Sequence, residues 1–209
     1  ITGVDRRGRH FHPLFQLQLL GLNGAFLTGD LFNLFVFFEV FLIASYGLLL
    51  HGQGAGRLKA GVQYVVINLV GSTLFLVGVG LLYGVTGTLN MADMAVRVAA
   101  APPGDQGLIA AGALVLTVVF ALKAALVPLH FWLPGAYAAT TATVAALFAI
   151  MTKVGAYALI RTGTLIFGED AGALAFLTGP WILPAALITT VVGFVGLFAP
   201  DSGMRTVAE

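Results

Sequence analysis

The sequence predicts an all-α integral membrane protein with about six transmembrane helices, one of them discontinuous at Pro128, and a short amphipathic surface helix. Three observations predict it. Hydrophobic residues fill 59% of the 209 positions and charged ones only 9%, against about 25% charge in a soluble domain. The apolar residues gather in runs close to the ~20 residues that cross a bilayer. Within one such run, FALKAALVPLHFWLP (Phe120–Pro134), a lysine is followed by Pro128, His130 and Pro134. A helix meeting Pro128 loses a donor and clashes with the carbonyl of Ala124. Irregular backbone inside a membrane survives only where protein or a watery cavity satisfies it.

Composition also narrows the functional classes. The net charge of +1 is too small to suggest a nucleic-acid partner. The chain has no cysteine, which excludes disulfides, thiolate metal sites and a cysteine nucleophile. The sequence opens on Ile1, and Arg6, Arg7 and Arg9 lead into a membrane run without the small-residue exit site of a cleavable signal. It reads as a piece of a longer protein, forming a single transmembrane domain.

The first span is predicted at about residues 13–29. Gln16, Gln18 and Asn23 make it polar for a lipid-facing helix, and Gly21 and Gly24 admit a close neighbour. His10-x-His12 before it reads as interfacial rather than as a metal site. The second span, about 31–50, has Asp30 placed as its N-cap and Glu39 near its middle. Phe35, Val36, Leu42 and Ile43 surround Glu39, so its partner is expected from another helix. The glycine-rich loop HGQGAGRLK (residues 51–59) lacks the Walker spacing and reads as a turn. The third span, about 60–83, carries Gln63, Asn68, Ser72 and Thr73 as a polar stripe and Gly80 and Gly84 as a GxxxG pair; bundle-facing packing explains both.

Between residues 84 and 106, Met91, Met94, Ala95 and Val98 recur at helical spacing, opposite Asn90, Asp93 and Arg97. Asn90 with Asp93 resembles a capping box. A short helix lying on the membrane surface is predicted, ended by Pro102 and Pro103. The fourth span, about 107–133, runs through Lys123 into the break. The fifth, about 139–160, holds Lys153, with Tyr157 one turn on; Ala138, Ala142 and Ala146 argue close packing. The sixth, about 173–199, has Pro180 and Pro184 kinking its first half. Alternation puts Arg6, Arg7, Arg9, Arg57, Lys59 and Arg205 on one side, against Arg97 and Arg161. The positive-inside rule makes that first side cytoplasmic, with both ends of the chain there.

Three charges inside spans are the functional signal. Each costs on the order of 2.5–3.5 kcal/mol at the bilayer centre, and pairing or neutralisation lowers that cost. A lysine in a dry site with a carboxylate nearby switches between holding and releasing a proton as the carboxylate moves. Structural readings compete. Lys153 lies roughly 12 Å along a helix from Arg161 and can snorkel. Lys123 can donate to carbonyls freed by Pro128. His130 suits either a structural hydrogen bond or a proton relay. Thr140, Thr141 and Thr143 suit backbone satisfaction or a cavity lining. At ~1.5 Å per residue, depth pairs Glu39 with Lys153 and leaves Lys123 deeper.

Four segments carry a resemblance: GDLFNLFVFFEVFLIASYGLLLHG (residues 29–52), NLVGSTLFLVGVGLLYGVTGTLNMADMA (68–95), ALKAALVPLHFWLPGAY (121–137) and ALFAIMTKVGAYALIR (146–161). Together they resemble the antiporter-type subunits shared by multisubunit Mrp cation/proton antiporters and the membrane arm of respiratory complex I. The GDLFNLFVFFE wording is most similar to the D-type subunit of the Mrp antiporter; the likeness fades after about Pro184. It implies about fourteen spans in two inverted repeats, each with one discontinuous helix, of which this chain holds spans four to nine. It places the family's functional glutamate on Glu39, its lysine beside the broken helix on Lys123, its central lysine on Lys153, and its PLHxWLP histidine on His130. It pairs Glu39 with Lys123, against the depth count.

The function expected is proton translocation in a multisubunit Na+/H+ or other monovalent cation/proton antiporter of a prokaryotic inner membrane. Other membrane subunits, protons, the cation and the lipid bilayer are the partners; no organic cofactor, metal or covalent catalysis is expected. One alternative is a proton-pumping subunit of a redox-driven complex such as complex I or a membrane-bound hydrogenase. The other is a scaffold subunit that transports nothing.

Overall fold

The computed structural model describes Gly3 and residues 10–51 and 55–197. Arg6, Arg7 and Arg9, the centre of the glycine-rich loop and the tail after Leu197 lie outside the described residues. The elements are α1 (Phe11–Leu27), α2 (Leu31–Leu50), α3 (Ala55–Thr86), α4 (Met91–Ala99), α5 (Pro103–Lys123), α6 (Trp132–Ala138), α7 (Ala142–Leu165), a 3-10 turn (Glu169–Leu174) and α8 (Gly179–Leu197). Among the described residues, five helices are long and apolar enough to cross a membrane: α2, α3, α5, α7 and α8. At 17 residues, α1 is shorter and lies along α2. The chain is a multi-pass helical membrane protein.

Glycines set how closely the helices approach. A Cβ on Gly21 would stand 2.7 Å from the Phe41 backbone nitrogen, and one on Gly24 would run into the Phe37 ring, so α1 and α2 pack almost backbone to backbone. On α3 the close approaches fall elsewhere than the sequence pattern suggests. Gly78 meets Leu116 of α5, whereas Gly80 and Gly84 have open space where a Cβ would go. The GxxxG pair faces out of the described bundle, because α5 lies against the Gly71–Gly78 side. Ala138, Ala142 and Ala146 are likewise exposed.

Caps fix several helix ends. Asp30 accepts a hydrogen bond from the Asn33 N–H at 2.8 Å, and Asn90 accepts from the N–H groups of Ala92 and Asp93. These two caps face each other: the Leu31 N–H donates to the Leu89 carbonyl and the Met91 N–H to the Gly29 carbonyl. The start of α2 is thereby tied to the start of α4. Met91, Met94 and Val98 of α4 are buried, while Arg97 pairs with Asp93 on its outer side at 2.9 Å.

The boundaries differ from expectation in three places. With 32 residues, ~48 Å at 1.5 Å per residue, α3 outruns the bilayer core. The fourth span stops at Lys123 rather than running to residue 133. The last helix begins at Gly179 rather than near 173, because Gly172 and Phe176 hold positive φ values of 58° and 51°, which no right-handed helix accepts. Pro180 therefore sits in the first turn of α8, where its missing N–H costs nothing, and only Pro184 lies inside the helix.

Replacing Gly21 with Val is expected to cost about 1–3 kcal/mol through overpacking, because Phe41 backbone cannot give way. Gly29→Ala, with open space at the Cβ position, is expected to stay within ~0.5 kcal/mol. Thermal unfolding in detergent compares the two directly.

Candidate functional site: a carboxylate and an ammonium held by one helix

Inside the bundle, α3 presents Tyr64, Asn68 and Ser72 at four-residue spacing, one above another on one face. All three are buried, at 1%, 3% and 5% exposure. Each meets a polar group from a different place in the chain. The Ser72 hydroxyl donates to Oε1 of Glu39, half-buried on α2. Lys123, at the end of α5, donates from Nζ to Asn68 Oδ1 at 3.1 Å and lies 3.4 Å from the Asn68 carbonyl. Tyr64 meets Ser45 of α2, 2.9 Å between the oxygens. The Ser45 hydroxyl also donates to the Leu42 carbonyl at 2.6 Å, and the Tyr64 hydroxyl to the Met151 sulfur at 3.9 Å.

The Asn68 amide has a fixed sense. Its NH2 donates to the Tyr64 carbonyl at 2.9 Å, which leaves only the oxygen to face the ammonium. An inverted amide would point donors at a cation. Gly71 lies against the lysine stem: a Cβ there would stand 3.0 Å from Leu122 Cδ2 and in ordinary contact, 3.5 Å, with Lys123 Cε. Phe38, Phe75 and Phe120 pack together beside the site, with Phe75 edge-on to Phe120 at 5.1 Å. Nζ lies 5.9 Å from the Phe38 centroid, within cation–π reach.

Glu39 and Lys123 do not close into an ion pair; each has its own partner on α3, one helical turn apart. The depth count puts Lys123 too deep because it treats every helix as starting at one level. The register of α3 on α5, set where Gly71 meets Leu122 and Lys123 and where Gly78 meets Leu116, overrides that count. Lys153 lies elsewhere. It is exposed on α7, and Tyr157, one turn on, turns away from it. The Tyr157 hydroxyl donates to the Phe26 carbonyl and accepts from Arg161. His130 is half-buried in the break, and its Nδ1 is enclosed with no hydrogen-bond partner among the described residues.

The helix breaks ahead of Pro128 as expected, and its end has a definite form: it stops at Lys123, with Ala124, whose carbonyl Pro128 would meet, as the C-cap. Ala125 adopts a left-handed φ of 54°, its N–H bonds the Leu122 carbonyl, and the Leu126 N–H bonds the Ala121 carbonyl. This is a Schellman ending with Ala in the position glycine normally takes. The indole of Trp132 donates to the Leu122 carbonyl at 3.0 Å. The Val127 N–H, just before the proline, donates to Thr189 Oγ1 on α8 at 2.9 Å. Lys123 does not bond the freed carbonyls. From the other side, α7 presses on the break through Gly155, where a Cβ would run into the Ala124 nitrogen and stand 2.7 Å from the Lys123 carbonyl carbon.

Sequence reasoning singles out Glu39 and Lys123 but assigns Asn68 and Ser72 to generic packing. The i, i+4 spacing of Tyr64, Asn68 and Ser72 is the signal that separates them from Gln63 and Thr73, which are exposed.

A bundle of apolar helices, one of them broken beside a buried ammonium and a nearby carboxylate, defines a multi-pass helical membrane protein. Residues 28–197 match the model of the NADH:quinone oxidoreductase/Mrp antiporter transmembrane family, and the chain belongs to that family. It is 55% identical over 195 residues to a probable K(+)/H(+) antiporter D-type subunit of Rhizobium meliloti (strain 1021), covering 93% of this chain and 36% of that protein. Its fold is similar to a chain of the membrane-bound sulfane sulfur reductase, an archaeal respiratory membrane complex. The TM-score there is 0.80 at 35% identity, over 93% of this chain and 39% of that one. It is also similar to a chain of the Mrp complex from Dietzia sp. DQ12-45-1b. That match has a TM-score of 0.76 at 34% identity, over 96% of this chain and 37% of that one. The chain thus spans less than half the length of these relatives.

Two substitutions probe the break. Ala125→Gly removes a left-handed alanine and is expected to stabilise by about 0.5–1 kcal/mol, net of the extra glycine entropy. Gly155→Ala drives a methyl into backbone and is expected to cost about 1–3 kcal/mol. Chemical unfolding in detergent, monitored by Trp132 and Trp181 fluorescence, reads both.

Proposed function

We propose that this chain is the proton-handling segment of a subunit of a multisubunit monovalent cation/proton antiporter in a prokaryotic cell membrane. Its two ends lie on the cytoplasmic side, with α1 a sixth crossing beside the five longer helices, and other membrane subunits complete the complex. One observation carries the reading: a carboxylate and an ammonium, both within membrane spans, rest one turn apart on α3 without contacting each other. In that arrangement neither charge is locked by the other. A proton or cation arriving near Glu39 changes the field at Lys123, and Lys123 then releases or takes up its own proton.

His130, half-enclosed in the break, is the next acceptor along the path, and Lys153 on the outer face of α7 passes the proton to elements beyond this segment. Proton influx by this path drives the cation out. The likeness to the Rhizobium K(+)/H(+) antiporter protein supports potassium as one candidate cation, beside sodium. The likeness to the sulfane sulfur reductase complex supports a second reading, in which the same path is driven by a redox reaction.

Cation/proton exchange in vesicles holding the full-length subunit in its complex tests both. Exchange of Na+ or K+ for H+ without any quinone, sulfur or hydrogen substrate is expected; exchange that appears only with a redox substrate selects the second reading. Glu39→Ala and Lys123→Ala are each expected to reduce exchange at least ~100-fold, the scale of losing a positioned proton-transfer group, with the complex still assembled. Unchanged exchange in Glu39→Ala with failed assembly would instead indicate a scaffold.

A further inference from the structure

No residue of α3 carries a proton in the relay just described, yet among the described residues α3 supplies the side-chain hydrogen bonds of both charges. We infer that Asn68 and Ser72 are positioning residues, holding Lys123 and Glu39 apart as two separately satisfied charges so that their contact stays reversible. This inference rests on the proton-relay reading above.

A carboxylate and an ammonium in a dry interior attract strongly and, left alone, close into a direct pair. A closed pair holds its proton and transfers nothing. Keeping the two apart requires that each find a partner nearly as good as the other. Hydrogen bonds to charged groups are the strong class, and α3 supplies one for each charge. Ser72 has a donor to give, which suits a carboxylate. Asn68 can only accept in this position, because its NH2 is committed to the Tyr64 carbonyl, which suits an ammonium. Neither residue titrates, so the support is the same at every stage of a transfer. The placement is rigid as well. Both residues sit on consecutive turns of a long helix, only 3% and 5% exposed, and Gly71 between them lies against the lysine stem.

The test uses the full-length subunit in its complex, assayed for cation/proton exchange in vesicles and by infrared spectroscopy. Ser72→Ala removes the donor and is expected to slow exchange about tenfold, the scale of a lost hydrogen bond to a charge. It should also move the Glu39 carboxyl band, identified as the band that disappears in Glu39→Gln. Ser72→Thr keeps the hydroxyl and should restore both. Asn68→Leu is expected to slow exchange by a similar factor, and Asn68→Gln, which keeps a neutral amide oxygen, should exchange faster than Asn68→Leu. If Ser72→Ala fails to assemble, Ser72→Cys preserves the volume with a much weaker donor and carries the same expectation.

Wild-type exchange in both Ser72→Ala and Asn68→Leu, with Glu39→Gln inactive, overturns the inference. Slow exchange with an unmoved Glu39 band overturns it too, because that pattern belongs to a packing defect. Glu39→Gln exchanging at the wild-type rate instead removes the relay reading underneath.

Discussion

A charge moved out of water needs a replacement for its hydration shell, and the interior of this bundle is organised around supplying one twice. Lys123 comes from the end of α5 and Glu39 from the middle of α2, yet both find their polar partners on α3. The rest of the packing follows from bringing those elements together. Gly71 and Gly78 let α5 lie close against α3. Phe38, Phe75 and Phe120 fill the adjacent space, and Phe38 touches both other rings. A smaller set of side chains would admit water and dissolve the very distinction between paired and unpaired charge.

The fold class was open to reading because a bilayer imposes few solutions. Runs of apolar residues, the Asp30 and Asn90 caps, and the amphipathic Met91–Val98 pattern each have a local cause, and each appears where expected. Ends governed by longer-range geometry were less legible. The start of α8 depends on positive φ at Gly172 and Phe176, and a phenylalanine in that conformation gives no sequence signal. The helix break is a similar case. Pro128 is conspicuous, but the chain has already left the helix at Ala125, an alanine that nothing marks as left-handed.

For the site, Glu39 and Lys123 stood out because ionisable groups in apolar runs are expensive. Their arrangement did not, since counting residues from helix ends ignores tilt and register. Asn68 and Ser72 were visible as polar residues in a span but had no evident use, because serine and asparagine are common glue between membrane helices. Only the identity of the atoms they face gives them a role. Lys153 shows the limit in the other direction. Its depth matched Glu39 by arithmetic, but α7 turns it to the outside of this segment.

The bond between Val127 and Thr189 ties two otherwise loosely related parts of the molecule. Helix α8 buries almost nothing of itself against the described bundle. Its Thr189 hydroxyl nonetheless takes the last amide before the proline. A slide of α8 by little more than an ångström would stretch that contact beyond useful length. The peripheral helix thus acts as a tether on the interrupted one, and any neighbour that leans on it pulls on the backbone four residues from the buried ammonium.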